Sequence, residues 1–355
     1  MAHLKNREVQ SLLGDLSAPQ CRQLLDALSK ALADYSSSSS SSSTNGPPLV
    51  HQPMRQVFTT AAGHTSLFMP ASDTRTTGIK IVTLPGHGGA PRGAINVFSP
   101  DGALAGLLNA EEITAFRTAL ATMIPLLRAP LPPNPRVVVF GAGKQAEWHV
   151  RLAALLMPLA GGGVVTVVNR SAASLDRLGR RLRAACPGLA LRLLAREGRA
   201  PAAYEAELRA ALRDCDAVMC CTPSTEPLFP AAYLAAEEKK RRRFVSLIGS
   251  YKPSMQEVDA ETLLSGAGGR VYVDSREACL QEAGEIIRAG VPGDRLVELG
   301  EALAADHDFG AGAAEEGEGN VVFKCVGMGI MDVVVAAGLL DIAREKGVGR
   351  TIEDF

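Results

Sequence analysis

Val137-Val138-Val139-Phe140-Gly141-Ala142-Gly143-Lys144-Gln145-Ala146 is the stretch on which the reading of this chain turns. Four consecutive apolar residues suit a strand buried on both faces, as in a parallel sheet covered by helices. The glycines that follow have the G-x-G-x-x-A form of a phosphate-binding turn. Gly141 permits a tight turn, Gly143 lets backbone approach a pyrophosphate, and Ala146 lets helix and strand pack closely. The helix starting at Lys144 would then offer its unpaired N–H groups and positive dipole end to phosphate. Gly141, Ala142, Gly143, Lys144 and Gln145 are therefore expected to bind a dinucleotide.

Reading onward, strands and helices alternate. Strand 164–168 follows the first helix, then helix 171–185, strand 189–194, helix 201–213, and strands at 217–221, 244–248 and 271–273. Such alternation predicts an α/β fold with a doubly wound parallel sheet, a Rossmann domain over 135–322. The second strand ends at Asn169-Arg170-Ser171. A site preferring NAD(H) usually has a carboxylate there, on the ribose 2′-hydroxyl. Arg170 can instead pair with a 2′-phosphate, and Asn169 and Ser171 can donate to it. The expected cofactor is NADP(H), with NAD(H) as the alternative.

Reading backward, prolines 130, 132, 133 and 135 mark a boundary, and residues 1–134 form an α+β domain. Two helices are expected over 4–34, the second capped by Ser17. The serine run inside 36–48 is expected to be a disordered insertion. Strand-like segments at 65–69, 78–84, 93–98 and 104–108, separated by turns, lead to a helix at 112–127. Residues 323–355 end in a helix expected to return to the first domain. The glycine- and acid-rich stretch 301–319 reads as a mobile loop.

Composition narrows the function. The chain has 355 residues, 46% of them hydrophobic, with a formal net charge of −1, which excludes the basic excess of a nucleic-acid binder. The run Lys239-Lys240-Arg241-Arg242-Arg243 reads as a solvated helix end or loop. Seven cysteines without metal-ligand spacing predict reduced thiols, no metal, and a cytoplasmic location. The apolar tract 321–343 is interrupted by Lys324 and Asp332, so no membrane span is expected.

Several blocks resemble the ornithine cyclodeaminase/mu-crystallin family across nearly the whole length. They are Pro53-Met54-Arg55, Phe68-Met69-Pro70-Ala71, Gly78 to Thr83, Ile113 to Thr118, the Gly141 loop, Thr222 to Pro227, Tyr272 to Ser275, and Phe323 to Asp332. The resemblance implies a homodimer built through the first domain and a small imino or amino acid as substrate. It makes Lys80 the active-site lysine, Arg117 the substrate-carboxylate arginine and Arg55 a second carboxylate binder. It puts Met69, Asn96 and Tyr251 along the substrate pocket, and Thr222, Pro223, Gly249, Gly327 and Met328 on the cofactor. An arginine fork grips a carboxylate bidentately, and a lysine of lowered pKa can move a proton at an imine.

One departure matters. Cyclodeaminases of the family carry an aspartate where Tyr251 stands, in Gly249-Ser250-Tyr251-Lys252-Pro253, and a threonine where Asn96 stands. A phenol, with an ordinary pKa of about 10, is a poor replacement for a carboxylate base. The resemblance therefore leans to the ketimine-reductase side: NADPH-dependent reduction of a cyclic imine bearing an α-carboxylate, or a related amino-acid oxidation. The alternatives are an ornithine cyclodeaminase-type lyase using bound NAD, and a non-enzymatic NADPH-dependent binding protein. His87 reads as a loop residue without a role, His149 as structural, Asp332 as a cap of the last helix, and Cys325 as having no redox role.

Overall fold

The structure is a computed structural model that describes all residues except 40–46, 158, 160–161, 236–240, 307–308, 310–318 and 354–355. It divides into two compact units, residues 1–121 with 327–355, and residues 122–326.

The first unit is built on a seven-stranded sheet. In chain order it contains strand β1 (Ala2–Leu4), helices α1 (Asn6–Gly14) and α2 (Ala18–Ser39), and strands β2 (Gln56–Thr59), β3 (Thr65–Ser72), β4 (Thr77–Leu84), β5 (Arg92–Phe98) and β6 (Leu104–Asn109). Helix α3 (Ala110–Leu126) follows. The sheet order is β15-β1-β6-β5-β4-β3-β2, where β15 (Arg350–Thr351) is the last strand of the chain. The meander from β2 to β6 is antiparallel, as its short turns require.

Helix α11 (Gly329–Glu345) packs on β3, β4 and β5 and against α2. It is buried nearly all round, which explains why the apolar tract 321–343 shows no clean amphipathic stripe. Among the described residues no helix is long and apolar enough to cross a membrane.

The second unit carries an eight-stranded, wholly parallel sheet. Its elements are β7 (Arg136–Phe140), α4 (Lys144–Leu156), β8 (Val164–Asn169), α5 (Ala172–Ala185), β9 (Ala190–Ala195), α6 (Pro201–Asp214), β10 (Ala217–Cys220), β11 (Phe244–Leu247), α7 (Ala260–Leu263), β12 (Val271–Val273), α8 (Arg276–Glu282), α9 (Gly284–Ala289), β13 (Leu296–Glu298), α10 (Leu299–Ala304) and β14 (Val321–Lys324). The order β13-β12-β14-β11-β10-β7-β8-β9 runs outward both ways from β7 and β10. That reversal is the topological switch point, outside whose carboxyl strand ends ligands of doubly wound sheets bind. The expected α/β fold with a Rossmann-type parallel sheet and a second α+β part is what the structure has.

Three expectations change. Ser36 to Ser39 are not a disordered insertion: they continue α2. Two of the hydroxyls bond back one turn, Ser37 Oγ to the Ala33 carbonyl at 2.8 Å and Ser38 Oγ to that of Asp34 at 2.7 Å. Residues 40–46 of the run lie outside the described residues. The expected boundary at the prolines moves into α3, between Ala121 and Thr122, and the later one to 326/327. Thr122, the first residue of the second unit, has its hydroxyl 2.9 Å from His149 Nε2.

In the basic run, Arg243 is buried rather than solvated, its guanidinium donating to the carbonyls of Cys215, Arg241 and Arg213. Lys239 and Lys240 lie outside the described residues, as does most of 301–319, whose start is the C-terminal part of α10.

Candidate active site

The first unit gathers its charges at one place on the inner face of its sheet. Lys80 in β4 lies in register between Met69 of β3 and Ile95 of β5, so all three side chains point to the same face, the one α11 covers. Lys80 is only 2% exposed. A lysine this deep needs a partner, and it has one: Nζ lies 3.1 and 3.0 Å from the two carboxylate oxygens of Asp332, in the first turn of α11. Arg117, in α3, donates from Nε to the same carboxylate at 3.1 Å. Asp332 is fully buried. It is thus a shared counter-ion, not the helix cap expected of it; the capping position is Met328.

Two cations on one carboxylate leave an excess of positive charge. Arg55 adds a third cation and donates from Nη2 to the carbonyl of Gly327 at 3.1 Å. Burial pushes the Lys80 ammonium down to a pKa of about 8; Asp332 opposes that shift, while Arg117 and Arg55 add to it. Gly327 takes φ +89°, and a Cβ there would stand 2.7 Å from the Arg117 guanidinium, so only glycine fits beside the arginine. Met69 is buried. Asn96 is half-buried and lies in register opposite Ile79, hence on the other face of the sheet from Lys80. It is not brought together with Lys80, Arg117 and Asp332.

The second unit shows the phosphate-binding turn. Gly141 takes φ +114°, and a Cβ on it would come within 2.7 Å of the Cys221 carbonyl oxygen. Gly143 precedes α4 in extended conformation, no side chain caps the helix, and a Cβ there would meet nothing within 4 Å. That open cradle at a helix N-terminus fits a pyrophosphate. Gln145 Oε1 is buried and has no hydrogen-bond partner among the described residues, leaving an acceptor for a ligand hydroxyl. The residues therefore fit a dinucleotide.

At the end of β8, Asn169 Nδ2 donates to the Ser171 carbonyl at 3.0 Å, and the Ser171 hydroxyl caps α5 by accepting from Ser174 N. Arg170 is exposed. Glu197, not anticipated, accepts from Ala172 N at 3.0 Å and so brings a carboxylate to this corner from the loop after β9.

Sequence reasoning also missed a buried network at the ends of β10, β11 and β14. Glu257 accepts from Thr222 N and Gly249 N, both at 2.7 Å, and from Thr222 Oγ1 at 3.2 Å. Lys324 pairs with Glu285 at 3.2 Å and donates to the Ser250 carbonyl, while Ser250 Oγ donates to Glu285. The one available signal was Lys324 itself, a lysine inside an otherwise apolar strand. Asp274 accepts from Val326 N at 3.2 Å and from the Cys325 thiol at 3.1 Å, giving that cysteine a structural partner. Tyr251 stands beside Lys252, whose Nζ is 5.7 Å from the ring centre. His149 is held between Thr122 and the Gln145 carbonyl, and burial lowers its pKa to about 4. No group of metal-ligating side chains occurs among the described residues.

The profile of the ornithine cyclodeaminase/mu-crystallin family matches residues 19–347. The chain belongs to this family. A protein of Saccharomyces cerevisiae described as uncharacterized is 30% identical over 78% of this chain and 80% of its own. The ketimine reductase mu-crystallin of Macropus fuliginosus is 27% identical over 96% of both chains. Among solved structures, the Thermococcus litoralis Δ1-pyrroline-2-carboxylate reductase, in complex with NADH and L-proline, superposes with a TM-score of 0.79. It covers 99% of this chain and 100% of that one at 19% identity, a likeness of fold.

Proposed function

We propose that this family member is an NAD(P)H-dependent reductase of cyclic imines that carry an α-carboxylate. The observation that carries the reading is the buried cluster in which Lys80 and Arg117 share Asp332. It is an anion-hungry site with a proton donor of lowered pKa at its centre. The relatives named for ketimine and pyrroline-carboxylate reduction support it.

Arg117 and Arg55 bind the carboxylate, and Arg117 is oriented by Asp332. Lys80 Nζ holds the proton that the imine nitrogen takes as the C=N bond becomes CH–NH. A reduced nicotinamide, when bound, supplies the hydride for the imine carbon. Gly141, Gly143 and the α4 N-terminus hold its pyrophosphate, and Gln145, Thr222 and Gly249 belong to the same half. Met69 lines the substrate side.

NADPH is the preferred cofactor on the strength of Arg170, against which Glu197 works as an opposing charge. A homodimer is supported by the sheet face turned away from α11. There Phe58, 52% exposed, stacks on Phe68 at 5.4 Å, beside half-buried Ile79 and Ile81. Tyr251, in place of a carboxylate, disfavours the cyclodeaminase reading.

Consumption of NADPH by purified protein with five- and six-membered cyclic imino acids tests the proposal, with ornithine and NAD as a separate reaction. Turnover of an imine is the expected result. Ammonia and proline from ornithine would replace the reductase reading with the lyase, and cofactor binding without any turnover would replace it with a binding protein.

A further inference from the structure

The acidic network of the second unit is not used by the chemistry above, yet it lies at the carboxyl end of the parallel sheet. Glu257 is fully buried, and its two carboxylate oxygens tie together the residues that follow adjacent strands: Thr222 after β10 and Gly249 after β11. Thr222 is itself against the phosphate turn, since a Cβ on Gly141 would lie 3.4 Å from its Cγ2. Next to it, Glu285 and Lys324 hold Ser250. The ammonium of Lys324 pairs with Glu285 and acts on Glu257 through its charge. With all three ionised the network carries one net negative charge in a place water does not screen.

We propose that Glu257 is a positioning residue that sets the balance between oxidised and reduced cofactor, its buried carboxylate favouring the cationic ring of the oxidised nicotinamide over the neutral ring of the reduced one. This rests on the cofactor reading given under the proposed function. The two cofactor forms differ by a hydride, so they differ by one unit of charge at the ring and in little else. A fixed carboxylate at the switch point discriminates between them through that charge alone.

The same carboxyl is poised to titrate. Burial pushes Glu257 up to a pKa of about 7, and Glu285 adds to that. Lys324 and the amides of Thr222 and Gly249 oppose it. The other titratable groups facing it are the thiols of Cys220 and Cys221 in and after β10, both pushed well above their ordinary range by burial and so neutral here. Protonation of Glu257 then cancels the network's net charge and removes the preference for the oxidised form. By linkage, the oxidised cofactor must in turn hold Glu257 ionised.

The test is the ratio of dissociation constants for oxidised and reduced cofactor, measured without substrate by fluorescence and calorimetry from pH 6 to 8.5. In the wild-type protein the oxidised form should lose affinity relative to the reduced form as pH falls through about 7. The change should be on the order of tenfold, the size of one unit of pKa coupling. Glu257→Gln keeps the side chain's shape and an acceptor for Thr222, and should hold the ratio at its low-pH value throughout. The wild-type titration alone decides the matter if that variant does not fold. A ratio independent of pH, or two affinities that fall together in the variant, would overturn the inference and leave Glu257 as a strand tie. Failure of the wild-type protein to bind either form at any pH would instead remove the cofactor reading, and this proposal with it.

Discussion

The two units solve the same electrostatic problem with opposite signs. In the first, two cations, Lys80 and Arg117, share the carboxylate of Asp332, with Arg55 as a third. In the second, the ammonium of Lys324 pairs with Glu285 and acts through its charge on a second buried carboxylate, Glu257. Each network joins elements far apart in the chain, and each is left with a surplus. Burying a surplus charge costs stability unless a ligand neutralises it. The surplus positive charge suits a carboxylate substrate, and the surplus negative charge suits an oxidised nicotinamide ring.

Loss of Lys80 should have the most severe effect on turnover. Lys80→Ala is expected to lower the rate of imine reduction by about 10²- to 10⁴-fold, the usual worth of a positioned acid. The dissociation constant for the cofactor should stay unchanged, since Lys80 is not among its proposed ligands, most of which lie in the other unit. Steady-state kinetics beside a binding titration would check both halves of that statement.

Removing a counter-ion should come next. Asp332→Asn leaves two buried cations without an anion, and Lys324→Met leaves buried Glu285 without its cation. Each is expected to cost about 3–5 kcal/mol in chemical denaturation, the scale for breaking a buried pair. An added carboxylate ligand should recover part of the loss in Asp332→Asn and none in Lys324→Met.

A smaller effect sharpens the charge reading. Lys80 has its folded pKa, about 8, below the ordinary value near 10.5. Between those values the unfolded chain binds more protons than the folded one, so Lys80's contribution to stability should rise as pH climbs from about 8 to 10.5. Denaturation midpoints across that window would show it, and Lys80→Met should flatten the rise.

The smallest effects concern the cofactor's 2′ position. Arg170→Ala should reduce the preference for NADPH over NADH by about tenfold, the worth of one charge-assisted contact. Glu197→Gln should move the preference severalfold the other way. An unchanged ratio in Arg170→Ala would remove the 2′-phosphate assignment.

The sequence showed most plainly what is local. The apolar run and glycines from Val137 to Ala146 report strand, turn and helix within ten residues, and the parallel sheet follows from their repetition. Lys80 and Arg117 were legible only through family resemblance, because nothing near them in the chain indicates a site. Asp332 was misread as a cap because its partners are 252 and 215 positions away. Glu257 escaped for the same reason: its contacts run to Thr222, 35 residues earlier, through an uncharged backbone amide that no residue type announces. The serine run misled in another way. Serine's poor helix propensity predicts a break, yet α2 runs on to Ser39, with the Ser37 and Ser38 hydroxyls bonded one turn back.

If Lys80, held by Asp332, is the acid of an imine reduction, its titration should govern the pH profile of kcat/KM with a cyclic α-carboxy imine. The rate is expected to fall as pH rises through about 8, where Lys80 loses its proton. The limb should move to lower pH in Asp332→Asn, because the carboxylate that raises the lysine's pKa is gone. A limb that keeps its position in Asp332→Asn, or survives in Lys80→Ala, would show that the proton comes from elsewhere.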